Sequence, residues 1–191
     1  NVSLGSYSLL NQTTGSHNVA IGRFALASTS AVSFPGSIGI GYYAGRYAHG
    51  NCNVYVGYEA GLGANLVKNT NAVNVGIGYR SLYSITTGTD NVGIGSEALY
   101  SITTGYENTS IGTTTMRTTT IGYKNSALGL SALYHNTKGY LNTAIGDYAS
   151  ADNTEGYHNT SLGAYALCNI TTGHNNVAIG LYAGAFITGG G

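Results

Sequence analysis

The groups in this chain that could carry chemistry are five histidines, seven acids, two cysteines and many hydroxyls, and their spacing limits what they can do. A metal site needs three or four ligands converging on one point. Of His17, His49, His135, His158 and His174, only His17 and His158 take the same place in the chain's repeating motif, and eight copies separate them. Glu59, Glu97, Glu107, Glu155, Asp90, Asp147 and Asp152 fall at scattered positions and offer no acid–base pair. No Gly-x-Ser-x-Gly elbow is present. Gly39-Ile-Gly41, Gly76-Ile-Gly78 and Gly93-Ile-Gly95 look like phosphate loops, but no helical pattern follows them. The expectation is a chain that is not an enzyme, with no catalytic residue, metal or cofactor.

Two other residue types suggest contact rather than catalysis. There are 17 tyrosines and no tryptophan, and Tyr83, Tyr100, Tyr134, Tyr148, Tyr165 and Tyr182 recur in columns. Such columns pack against one another first, with surface or glycan contact as the functional reading. Asn-x-Ser/Thr sequons fall at Asn1, Asn11, Asn108, Asn159 and Asn169. Asn11 and Asn169 lie on the turn side and are the N-glycosylation candidates, whereas the other three belong to the motif itself. Cys52 and Cys168 lie about six copies apart, so a disulfide would have to join different chains.

All of these residues hang on a repeat. Asn-x-x-aliphatic-Gly recurs with anchoring glycines at 5, 22, 41, 57, 78, 95, 112, 129, 146, 163 and 180, spaced 17, 19, 16, 21 and then 17 throughout. The copy at Ser37–Gly41 lacks the asparagine. Residues 1–191 therefore read as a single all-β domain, a parallel β-solenoid of about eleven 17-residue coils, irregular over about 23–78 and uncapped at both ends. No stretch carries a 3.6-residue apolar period, and glycine punctuates every copy.

The residue before each glycine is a branched aliphatic in every copy: Leu4, Ile21, Ile40, Val56, Ile77, Ile94, Ile111, Leu128, Ile145, Leu162 and Ile179. Apolarity predicts that this ladder is interior. A second strand is predicted through Ala-Leu-Tyr, and Thr-Thr-Gly is the expected return turn, its glycine supplying a positive φ. At roughly 4.8 Å per coil the rod is on the order of 50 Å long.

Composition excludes several functions. Formal net charge is +0 and only 7% of residues are charged, so the counterion release that drives nucleic-acid binding has no source. No apolar run of about 18 residues supports membrane insertion by this segment. Ice binding needs paired outward threonines, whereas neighbouring Thr-Thr residues point to opposite sides. Their column is also broken at Lys138 and Glu155.

Asn142-Thr-Ala-Ile-Gly146 with Ala149, Asn176-Val-Ala-Ile-Gly180 and Asn18-Val-Ala-Ile-Gly22 resemble the head repeats of YadA-like trimeric autotransporter adhesins and the repeats of viral tail fibres. The resemblance covers nearly the whole chain. It implies a left-handed β-roll, three chains meeting through Ile77, Ile94, Ile111, Ile145 and Ile179, and Ala144 and Ala178 inside the coil. The unit here is longer, and its Leu-Tyr and Thr-Thr-Gly segment can fill its own coil. The resulting expectation is an extracellular, cell- or virion-surface fibre or filament subunit with adhesive capacity, whose partner is itself, laterally or end to end, and whose ligands include surface glycans. The alternatives are a trimeric adhesin head or tail-fibre segment binding a host surface, and an ice- or glycan-binding rod.

Overall fold

The computed structural model describes residues 1–29, 35–64, 70 and 72–190. Parts of the irregular stretch, 30–34, 65–69 and 71, lie outside the described residues. Eleven three-residue strands, from β1 (Val2–Leu4) to β11 (Val177–Ile179), stack in chain order into one parallel sheet. Each strand pairs with the next in full register, for example Thr143↔Thr160 and Ile145↔Leu162. The chain is thus a β-solenoid in which one repeat makes one coil and every coil rests only on its neighbours.

The strands are short because glycine ends each of them. Gly129 has φ +132°, and a Cβ there would lie 2.7 Å from the carbonyl carbon of Gly146 in the next coil. The anchoring glycines are therefore stacked backbone on backbone, and in the ten copies from Gly5 to Gly163 a side chain would meet the coil above.

The ladder does not face inward. From β2 to β11 the middle residue is buried and the residues on either side are partly or fully exposed, as in Thr143–Ile145, where Ala144 is the buried one. The reason is size rather than polarity. A Cβ on Gly39 would meet Leu26 Cγ at 2.7 Å, so the strand's inner face lies hard against a leucine from the turn segment. Only a small residue fits opposite that leucine, and the branched aliphatics are turned outward. Leu26, Leu82, Leu99, Met116, Leu133 and Leu167, with Ile85, Ile102 and Ile170, form the core.

The Ala-Leu-Tyr segment is not a second strand. It is a run of turns in which non-glycine residues take positive φ, as at Tyr148 (57°), Ser150 (49°) and Leu133 (50°). That conformation disfavours L-residues, and it persists because the flanking N–H groups bond the neighbouring coil, as in Leu133 N–H to Ala149 O at 3.0 Å. The return turn differs too. Gly88, Gly105 and Gly173 are not among the positive-φ glycines; the positive φ falls two residues later, on Asp90, Glu107 and Asn175. A Cβ at Gly88 would strike the Gly105 carbonyl oxygen, so clearance between coils selects that glycine.

Tyr55 reverses the usual division of space. It occupies a middle-strand position and is fully buried, while Gly45 and Gly61 stand where other coils carry leucine. A Cβ on Gly45 would lie 2.9 Å from the Tyr55 ring. Tyr55→Ala is expected to cost about 3–5 kcal/mol in thermal or urea unfolding, the usual range for removing a buried aromatic. Adding Gly61→Leu is expected to recover more than half of that loss, because Leu99 adopts the same backbone conformation at the matching position (φ 52° against 57°). No recovery would show that the tyrosine is not standing in for leucine. Burial also holds the Tyr55 phenol well above the ordinary tyrosine value. The native state keeps a proton that the unfolded chain loses near pH 10, so this contribution is intact below about pH 10 and falls as pH rises further.

Candidate functional site

Beneath the outward ladder runs a column of asparagines. Asn125 Nδ2 donates to Asn108 Oδ1 (3.0 Å) and to Gly139 O (2.8 Å), while Asn125 Oδ1 accepts from Asn142 N–H (3.0 Å) and Asn142 Nδ2 (3.1 Å). Asn91, Asn108 and Asn159 repeat most of this pattern in buried surroundings. The sequons at Asn108 and Asn159 are thus built into the coil. Asn11 and Asn169 are exposed, and each amide nitrogen donates to the next coil, Asn11 to Ser28 O (2.8 Å) and Asn169 to Ala185 O (2.7 Å).

Above the asparagines lies a flat sheet face with two outward columns. One is the aliphatic ladder, in which Leu128 is 47%, Ile145 40% and Leu162 43% exposed. The other is Val or Ile in seven coils and Thr109, Ser126, Thr143 and Thr160 in four. In the regular coils Thr86, Thr103, Thr120, Thr137, Thr154 and Thr171 turn their hydroxyls to a carbonyl of the next coil. The neighbouring outward position holds Thr87, Thr104, Ile121, Lys138, Glu155 and Thr172, a mixed set rather than a threonine array.

The tyrosines stack. Tyr83 and Tyr100 lie 4.9 Å apart at 2°, and Tyr148, Tyr165 and Tyr182 continue at 5.2 and 5.0 Å. A further column escaped the sequence reading: Tyr106, Tyr123, Tyr140, Tyr157 and His174 stack at 4.7–4.9 Å between coils. Its signal was the bare 17-residue spacing of four tyrosines within turns.

The charged groups bind coil to coil. Glu59 pairs with Arg80 (2.7 Å), Glu97 with Arg117 (2.6 Å), Glu155 with Lys138 (2.8 Å) and Glu107 with Lys124 (3.9 Å). Their hydrogen bonds to Glu59 and Glu97 raise the pKa of the Arg80 and Arg117 guanidiniums, favouring the charged form. Among the described residues no three metal-ligating side chains converge, and no helix is long and apolar enough to cross a membrane. Cys52 is exposed and Cys168 half-buried, both as free thiols. Burial, with the Asp152 carboxylate nearby, pushes the Cys168 thiol up and lowers its reactive thiolate fraction.

The chemistry this surface supports is contact: a flat apolar face on one side, and stacked phenols with paired charges elsewhere. No protein-family model, curated protein or solved structure matches the chain.

Proposed function

We propose that this chain is a non-enzymatic subunit of an extracellular fibre or filament, assembled by lateral self-association of β-solenoid rods, with adhesive capacity. The observation that supports it is the outward aliphatic ladder. Leu4, Ile77, Ile111, Leu128, Ile145, Leu162 and Ile179 are all exposed on one continuous sheet face. Eleven three-residue strands make a face about 50 Å long and about 10 Å wide, with an area on the order of 500 Å², at the upper end of the apolar patch a monomer usually leaves in water. A second copy of the chain carries the same flat, regularly ridged face and fits it without rearrangement.

Ile111→Lys with Ile145→Lys places two charges in the middle of that face while leaving the buried Ser110 and Ala144 untouched. The native chain is expected to form multimers in electron micrographs and in sedimentation, and the double variant to sediment as single rods with unchanged β-type circular dichroism. Closed three-fold particles would favour an adhesin head or tail-fibre segment over an open filament. A native chain that sediments as a single rod at every concentration would overturn the reading.

A further inference from the structure

Stacked rings cover one another's faces, so most tyrosines of this rod offer only their edges to a ligand. At one place two rings lack a ring partner across the same pair of coils. The position five after the anchoring glycine holds Tyr83, Tyr100, Arg117 and Tyr134, and then Ala151. The position two after it holds Ser131, and then Tyr148, Tyr165 and Tyr182. Between the coils of Ser131–His135 and Tyr148–Asp152 the aromatic column therefore crosses from one position to the other. Tyr134 has Ala151 rather than a ring at its position in the following coil, and Tyr148 has Ser131 at its position in the preceding one.

The two rings line a cavity of about 290 Å³, with Ser131, His135, Ala151 and Asp152 completing the lining. The Ser131 hydroxyl is engaged with Thr114 Oγ1 at 2.8 Å. The His135 ring is set edge-on to Tyr134, with centroids 4.7 Å apart at 77°. Asp152 is exposed and makes no ion pair with the described residues. The lining thus combines two aromatic walls with a carboxylate acceptor and an imidazole that can both donate and accept.

We propose that this notch binds a single neutral pyranose ring, which gives the adhesive part of the proposed function its ligand class and rests on that reading. The apolar C–H face of the sugar lies against a phenol ring, and its ring hydroxyls meet Asp152 and His135. The volume sits at the lower end of the range for small-molecule sites, about 300–1,000 Å³, and suits one sugar ring rather than a chain. The Asp152 carboxylate repels sialic and uronic acids, which makes the site selective for uncharged sugars.

The test is saturation-transfer NMR on the assembled protein with methyl α-mannopyranoside, methyl β-galactopyranoside and methyl β-glucopyranoside, each to about 50 mM. At least one is expected to bind with a Kd of about 1–10 mM, the range of so small a ligand. Ala151→Tyr continues the aromatic column across the notch, as Tyr83 and Tyr100 already do, and is expected to weaken binding about tenfold or more. Asp152→Asn removes the carboxylate from an exposed position and is expected to weaken binding several-fold without changing the fold. Silence from all three sugars, transfer undiminished in either variant, or a response to tetramethylammonium in place of every sugar would overturn the proposal. Electron micrographs of the same samples separate the two readings. Fibres without transfer defeat this inference alone, and transfer on single rods defeats the fibre alone.

Discussion

Asn125→Ala is expected to lower the unfolding free energy by about 3–5 kcal/mol, although it removes only one small polar side chain. The argument is a count of partners. The substitution strips the buried N–H of Asn142 of its acceptor, removes the side-chain bonds to Asn108 and Asn142 Nδ2, and leaves the Gly139 carbonyl with Asn136 Nδ2 as its side-chain donor. Each group left unpaired in a dry interior costs about 1–3 kcal/mol, whereas a hydrogen bond whose partners can turn to water is worth only about 1. Asn125→Asp sets a buried carboxylate oxygen against the acceptors Asn108 Oδ1 and Gly139 O and is expected to lose at least as much as Asn125→Ala near neutral pH, and less at acid pH, where the protonated acid can donate. Urea unfolding followed by circular dichroism measures both. A loss below about 1 kcal/mol for Asn125→Ala would mean that water enters the column and the ladder does not hold the coils.

Gly129→Ala is expected to be worse, in the range of about 4 kcal/mol or more, or to prevent folding. Two penalties combine. At φ +132° any side chain is strained, by about 1–3 kcal/mol. The new methyl must also push against the backbone of Gly146, whose carbonyl carbon and oxygen would lie 2.7 Å away and which cannot yield without parting the two coils. Gly180→Ala separates these terms. Its φ is +123°, but the nearest atom to a new Cβ is Ala183 Cβ at 4.0 Å. Only the strain is expected there, so the Gly180 variant should retain a cooperative transition lowered by about 1–3 kcal/mol. Equal losses at the two sites would show that the stacked backbones move apart easily.

The period, the coil number, the sheet direction and the importance of asparagine and glycine were legible because every coil states them again. The orientation of the ladder was not. Apolarity suggested that Ile145 belongs inside and Ala144 outside, yet the space opposite the turn leucine admits a small group and excludes a branched one. Side-chain volume across a narrow coil is a property of two segments together, and no single segment displays it. The turn run was misread for a similar reason. Tyr148 carries a strand-forming preference, and glycine takes the Leu133 position only in the coils of Gly45, Gly61 and Gly184; elsewhere neighbouring coils rather than local sequence impose the positive φ. The notch was hidden because it depends on two positions, three residues apart in the motif, lying side by side on the surface. The buried Tyr55 was legible only in retrospect, through Gly45 and Gly61.

The residues held at positive φ also govern the order in which this chain can form. A regular coil contains three of them outside glycine, as at Ser131, Leu133 and Leu141, at a backbone cost of about 1–2 kcal/mol each. An isolated coil has nothing to set against that cost, since its strand has no partner and its turn N–H groups have no acceptor. The nucleus must therefore contain at least two adjacent coils closed together, and its formation is the slow step. Each later coil is laid onto a template that already presents the acceptors it needs, so growth is downhill once begun. Folding of this rod is elongation from a rare seed, and a finished end acts as the seed for whatever coil comes next.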